Sequence, residues 1–404
     1  MSSKNRPPQI FKRRVFYIPG YDPFPPRRYR ELYRKEGKEQ AEISGYSISV
    51  SAGSVSGSNN WHVTSVQEGV EVQTEFEVLP WSDIVQRSMS GSILVTYIQM
   101  ARTVWTYVST GVFWRLMRLR KGPVLAALYP VVMLILQLLI AILIALSIYA
   151  LIDTYMGELA ILPAALGAYC SLFWFRRIDN RLFAYYLLHD YAYSSRLRGV
   201  VSPELNDRLQ LFSKRINEAL SAELNEVLIV GHSSGAHLGV MALADVLRKR
   251  DGFRNSPSLS LLTLGQVIPM LAFLPKAHRL RKDLHDLSIG SNLTWVDVSA
   301  PGDGCTFALC DPVAVSGVAR QGQKWPLVLS AAFTQTLSAE RWKTLRWRFF
   351  RLHFQYLCAF DRPGDYDYFR ITAGPLTLRK RFEERAPSQS RITRTASKYT
   401  SVSA

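Results

Sequence analysis

The stretch "EVLIVGHSSGAHLGVMALADVL", residues 226–247, decides how this chain is read. Mostly apolar residues run into Gly231-His232-Ser233-Ser234-Gly235, and apolar residues then recur at helical spacing. The pattern predicts a strand over 227–230 that turns sharply into a helix over 236–248. Gly231 and Gly235 leave room for close backbone approach in such a turn. Ser233 then projects its hydroxyl at the strand end, beside a helix N-terminus that favours developing negative charge. The stretch offers two serines and two histidines. Which of them carries chemistry depends on the rest of the chain.

Outward from this turn, the pattern alternates. "RRVFYIPGYDPFPP" (13–26) predicts a strand over 15–18, broken by Pro19-Gly20. Residues 27–41 are helix-compatible, 46–52 alternate like a strand, 53–60 form a loop, and 70–81 hold one or two strands. Helical spacing recurs over 181–197 and 202–222, the second with Ser202 as N-cap. Apolar strands follow at 259–269 and 293–303. Strands alternating with helices predict an α/β fold with a mainly parallel sheet flanked by helices.

A membrane insertion interrupts that pattern. Residues 123–152 carry no charge, and as a helix they reach about 45 Å, enough to span a bilayer with tilt. A second apolar run, 159–175, contains Pro163 and sits near the lower length limit. No Lys or Arg occurs between Lys121 and Arg176, while "RLMRLRK" (115–121) and "RRIDNR" (176–181) flank the pair. Positive charge on both flanks predicts a two-helix hairpin with both termini cytoplasmic, in an inner or plasma membrane. Trp105, Trp114, Phe173 and Trp174 fit an interfacial aromatic belt. Residues 97–121 are expected along the membrane surface. The expected organisation is 1–96, 97–178 (interfacial helix and hairpin), 179–385, and a disordered basic tail over 386–404.

The chain has 404 residues and a net charge of +17, which favours an anionic partner such as an acidic lipid surface. The "RWKTLRWRFFRLHF" segment (341–354) interleaves Arg with Trp and Phe. Nucleic acid would suit it, but the membrane hairpin favours lipid. Cys170, Cys305, Cys310 and Cys358 show no CxxC spacing, so free thiols are expected. The N-terminal "MSSKNRPPQIFKRR" has no apolar core of a signal peptide.

The Gly231-His232-Ser233-Ser234-Gly235 motif, set between a strand and a helix, resembles the nucleophile turn of the α/β-hydrolase superfamily of lipases and esterases. The resemblance covers 15–18 and 203 to about 360, with the hairpin as an insertion. It implies Ser233 as nucleophile and the Ser234 N–H as an oxyanion donor. The superfamily's second donor follows an early strand, where "YIPGYDP" places the Tyr21 N–H just after Gly20. The superfamily order is Ser, acid, His. Of His62, His189, His232, His237, His278, His285 and His353, only His353 follows every plausible acid loop. Asp303, on a Pro-Gly turn beyond a late strand, is the favoured acid; Asp297 is next, and Asp311 is also available.

These residues predict an acyl-enzyme mechanism on a carboxylic ester or thioester, with a lipid-like or amphipathic substrate inferred from location. No metal or organic cofactor is implied, because His232 and His237 lack companion ligands at zinc spacing. A non-catalytic membrane scaffold on a hydrolase fold is the alternative; a basic nucleic-acid binder is a third reading, and no nucleic acid is expected.

Overall fold

The computed structural model describes residues 10–53, 59–89, 91–250, 252 and 256–403. Residues 1–9, and most of the loop expected at 53–60, lie outside the described residues. Eight strands form one sheet: β1 (Phe11–Ile18), β2 (Ser47–Ala52), β3 (Asn60–Gln67), β4 (Val70–Val78), β5 (Glu226–His232), β6 (Ser258–Leu264), β7 (Thr294–Ser299) and β8 (Leu327–Ser330). Their order is β2-β3-β4-β1-β5-β6-β7-β8. From β4 to β8 every neighbour is parallel, and β2 and β3 add antiparallel at one edge. The expected α/β class, a mainly parallel sheet flanked by helices, is what the chain adopts.

Two strands were not legible in the pattern. β3 reads "NWHVTSVQ", and its inward positions include Ser65 and Gln67 beside Trp61 and Val63. Polar residues inside and outside hide the alternation. β8 spans only four residues.

The helices in chain order are α1 (Arg27–Ser44), α2 (Ser82–Ser88), α3 (Ile93–Ser109), α4 (Val112–Leu119), α5 (Lys121–Met156), α6 (Ile161–Arg177), α7 (Asp179–Leu182), α8 (Ala184–Ser195), α9 (Pro203–Ala219), α10 (Gly235–Lys249), α11 (Ile268–Ala272) and α12 (His278–Ile289), followed by shorter ones. α9 starts where expected, with the Ser202 hydroxyl accepting from Leu205 N–H at 3.4 Å.

Successive strand residues point to opposite faces, so each central strand feeds two cores. Phe16, Ile18, Val227, Ile229, Leu259 and Leu261 pack under α9, α10 and α12. Val15, Tyr17, Leu228, Val230, Leu262 and Leu264 pack under α1 and the segment 333–382. Burial on both faces is why these parallel strands read as continuous apolar runs. Each such side chain contributes about 1.5–3 kcal/mol.

The buried Arg13–Glu226 ion pair, at 2.6 Å, ties the starts of β1 and β5 together. The chain leaves β1 toward β4 on one side, whereas β5 leads to β6 on the other. The switch point therefore lies between β1 and β5. In such sheets the crevice beyond the carboxyl ends of the two strands is where ligands bind.

Residues Lys121–Arg177 are the one helical stretch, among the described residues, long and apolar enough to cross a membrane. Only 17% of its most apolar window is buried in the protein. Within it α6 folds back so that Gly167 lies against Ile144 and Ile148 of α5. Trp105, Trp114, Phe173 and Trp174 are all exposed. The preceding segment is not purely a surface element. Tyr107, Val112, Leu116 and Leu119 enter the main core, which anchors α3 and α4 to the sheet domain.

The tail is a correction to the expected disorder. Residues 386–403 run along the domain as an extended strap. Ser388 N–H donates to Val328 O, Ile392 N–H to Leu309 O, and Ala396 and Ser397 N–H to Val315 O. Ile392, Ala396, Tyr399 and Val402 pack on the core. Ser, Thr and basic content suggested a chain too polar to fold, but four spaced apolar anchors and backbone pairing hold it.

Candidate active site

The turn after β5 is strained at one residue. Ser233 has φ 56°, the left-handed region that a side chain rarely adopts. Such a conformation costs about 1–2 kcal/mol and persists only when its surroundings dictate it. Here they do. Ser233 N–H donates to Leu264 O at 2.9 Å, and Ala236 N–H donates to Ser233 O at 3.1 Å. A Cβ on Gly231 would lie 2.6 Å from Gly235 O, and one on Gly235 would strike the Ile18 carbonyl oxygen. Both motif glycines are thus demanded by backbone contact. Ser233 stays partly exposed between buried His232 and Ser234, and its hydroxyl makes no hydrogen bond among the described residues.

His353 reaches the same sheet edge from the short helix Phe349–His353. Its Nδ1–H donates to Asp303 Oδ2 at 2.7 Å. The pair is buried, and Asp303 is held on both oxygens: Tyr356 OH donates to Oδ2 at 3.1 Å and Cys305 N–H to Oδ1 at 2.9 Å. Tyr356 is itself fixed, because its hydroxyl accepts from Ala300 N–H at 3.0 Å. His232, next to Ser233, donates from Nε2 to the His353 carbonyl at 2.9 Å, with the two rings 4.8 Å apart. A Cβ on Gly265, at the end of β6, would lie 3.1 Å from His353 Cε1. No hydrogen bond joins Ser233 Oγ to His353; the imidazole presents an unbonded Nε2 among the described residues. Catalytic contacts are often loose before substrate binds.

The other acids are elsewhere. Asp297 lies within β7 and accepts from Thr263 Oγ1 at 2.5 Å; its second oxygen is buried without a partner among the described residues, and burial pushes its carboxyl up to about 7. Asp311 caps a short helix by accepting from Val313 and Ala314 N–H. Of the three acids, only Asp303 meets His353. Burial lowers His232 to about 3 and His237 to about 4, so both rings are neutral. His278 and His285 sit on α12, bonded to Arg281 and Val318 O.

The loop after β1 comes to Ser233 from the other side. A Cβ on Gly20 would lie 3.4 Å from Ser233 Oγ. Trp81 Nε1–H donates to Pro19 O at 2.9 Å, Tyr21 OH pairs with Ser88 Oγ at 2.6 Å, and Tyr186 OH donates to Tyr21 O. Asp22 accepts from Phe24 N–H at 3.0 Å and from Tyr29 OH. Every side of the loop is held, yet neither Tyr21 N–H nor Ser234 N–H donates to another group among the described residues. Ser234 N–H adjoins Ser233 in the chain, and Tyr21 N–H follows Gly20, whose backbone approaches Ser233.

Asp303, Cys305 and His353 also bring possible metal ligands within 4.8 Å of one another. A metal would need a thiolate and a bare ring nitrogen. Burial instead pushes the Cys305 thiol up, and His353 Nδ1 already donates to Asp303. The donor set fits proton transfer better. All four cysteines are free.

Two residues of this region escaped the sequence. Tyr356, three positions after His353, carried only that spacing as a signal. Asp190, on α8, lies within electrostatic reach of His353 and carried none. Set beside known proteins, the chain matches no family model, no curated protein and no solved structure.

Proposed function

We propose that this protein is a membrane-anchored serine hydrolase of the α/β-hydrolase type, acting on carboxylic esters or thioesters. The observation that carries the reading is a serine held at a left-handed φ of 56° at the end of a central strand, with a hydrogen-bonded Asp303–His353 pair at the same edge. The order Ser233, Asp303, His353 along the chain, and the site's place at the β1/β5 switch point, support it further.

In this mechanism Ser233 Oγ attacks the acyl carbonyl and His353 Nε2 takes its proton. The carbonyl oxygen becomes an oxyanion between the N–H groups of Tyr21 and Ser234. The bond to the leaving oxygen or sulfur breaks as His353 returns the proton to it, leaving an acyl-Ser233 ester. Water, deprotonated by His353, then attacks that ester. The acid departs and the proton goes back to Ser233. Asp303 holds the ring in the tautomer that points Nε2 at the substrate and stabilises its cationic form. Losing any member of such a relay lowers the rate by several orders of magnitude.

The same reading places α5 and α6 across a bilayer as a hairpin, with the sheet domain and both termini on the cytoplasmic face. The apolar, exposed surface of 121–177 and the basic flanks at 115–121 and 176–181 support it. The arginine–aromatic segment lies beside this end of the molecule, since Phe350 packs on Phe183 at 4.8 Å. Exposed Trp347 and Phe349 among arginines suit an anionic lipid surface.

A fluorophosphonate probe applied to the detergent-solubilised protein tests the chemistry. Wild type is expected to label and Ser233→Ala is not. Equal labelling of both, or of neither, overturns the hydrolase reading and favours a non-catalytic scaffold.

A further inference from the structure

α8 has two faces with different tasks. Ala184, Tyr185 and Leu188 pack with Leu134 of α5, so this face belongs to the helical hairpin. Tyr186, Asp190 and Tyr193 follow at i, i+4 and i+7, one stripe of the helix. That stripe faces the site. Tyr186 OH donates to Tyr21 O, Tyr193 packs on Trp81 and Tyr21, and Asp190 interacts through space with His353.

Asp190 makes no hydrogen bond or ion pair among the described residues. Lys and Arg number 49 against 32 acids, and several carboxylates near the sheet are ion-paired, as in Arg13–Glu226, Arg14–Glu77 and Arg248–Asp283, whereas Asp190, like Asp297 in β7, meets no cation among the described residues. Asp190 instead shares its helix stripe with Tyr186 and Tyr193, whose rings pack on Tyr21. Tyr21, Tyr107, Tyr186 and Tyr191 all feel its charge, and Phe350 lies 6.3 Å from the Tyr186 ring. A carboxylate among aromatic side chains is chemistry suited to an ammonium group.

Its side of the site follows from the mechanism. His353 must hand its proton to the departing atom, so the leaving group lies against His353. Asp190 interacts with His353 through space, so on the hydrolase reading it belongs to the leaving-group side of the site and not along the acyl chain.

We propose that Asp190 selects the substrate's leaving group, and that it favours an alcohol or thiol bearing an ammonium cation a few bonds from the scissile atom. This rests on the hydrolase reading. Burial pushes the carboxyl up to about 7. An arriving cation would supply the partner that the protein withholds, which makes Asp190 fully ionised on binding.

The test compares two esters of one acyl chain, with a trimethylammonium-ethyl leaving group and its uncharged dimethylbutyl isostere. Wild type is expected to prefer the cationic ester by about tenfold or more in kcat/KM. Asp190→Asn should bring the ratio to near one, and Asp190→Glu should restore part of it. A ratio in Asp190→Asn within twofold of wild type, or no cationic preference in wild type, overturns the assignment. Short soluble esters and long-chain esters in phosphatidylcholine vesicles carry the same leaving groups, and the format that is turned over says whether the cation arrives free or on a lipid. A second measurement needs no variant: choline should slow fluorophosphonate labelling of wild-type Ser233, whereas 3,3-dimethylbutanol should not. Equal effects of the two also overturn it. If Ser233 does not label at all, the hydrolase reading has failed. If it labels with no ammonium discrimination, only the role of Asp190 has.

Discussion

His353 stands between two regions that treat a carboxylate in opposite ways. On the β7 side, Asp303 is saturated: His353, Tyr356 and the Cys305 N–H converge on its two oxygens, and Tyr356 is pinned in turn by Ala300. On the α8 side, Asp190 has no hydrogen-bond or ion-pair partner among the described residues, and His237 keeps Nδ1 buried and unbonded among them, beside Ser234, Trp81 and Tyr193. A satisfied network fixes one geometry, while an unsatisfied group in a crevice is costly unless something else meets it. On the hydrolase reading proposed above, the contrast separates the groups that orient the imidazole from those left to meet a substrate.

The largest effect expected falls on the saturated side. Asp303→Asn keeps the shape but reverses what His353 Nδ1 meets, which favours the wrong ring tautomer. Steady-state ester hydrolysis should fall by about 10³–10⁴-fold in kcat/KM with the fold retained. A loss under tenfold would break the contrast, because Asp303 would then do no more than Asp190. Gly235→Ala comes next. Its methyl group would be driven into the Ile18 carbonyl, a backbone atom that has no rotamer to yield. Destabilisation of about 3 kcal/mol is expected in a denaturation series, with labelling of Ser233 slowed as the turn shifts away from β1. Unchanged stability would show that the β1–β5 contact is looser than the geometry requires.

The saturated side was also the more legible. The Ser233 turn was visible because glycine spacing, an apolar strand and a helical period coincide within one window. His353 and Asp303 followed from their order along the chain and the Pro-Gly turn beyond β7. The Pro-Gly turn already favoured Asp303 over Asp297; the structure adds the side-chain direction, since Asp303 meets His353 whereas Asp297, inside β7, meets Thr263. Asp190 left no pattern. "LLHDYAY" reads as an ordinary helix, and its meaning depends on α8 packing between α5 and the β1 loop. β3 and the strap over 386–403 were missed for a related reason: their polar composition hid apolar anchors that matter only once their partners are in place.

Tyr356→Phe probes how far saturation matters. It removes the hydroxyl that donates to Asp303 and accepts from Ala300 N–H, leaving a buried donor unpaired. About 2 kcal/mol of stability should be lost, with roughly a tenfold drop in kcat as Asp303 loosens. A drop in stability with kcat untouched would mean that the His353 contact alone holds Asp303.

The smallest effect belongs to the unsatisfied side and appears only with pH. His237 is buried, and burial holds its folded-state value at about 4 against an ordinary 6.5. Between these values the unfolded chain takes a proton that the folded chain refuses, so stability falls as pH drops below about 6.5 and goes on falling to about 4. His237→Leu removes both the proton site and the unbonded Nδ1. Thermal or denaturant unfolding at pH 7 should then differ little from wild type. At pH 5 the variant should retain about 2 kcal/mol more of its pH 7 stability than wild type does. Equal losses on acidification would mean that His237 gains a proton in the folded state. That would require an acceptor or water in the cavity behind Ser234, and the α8 side would then be less bare than its contacts imply.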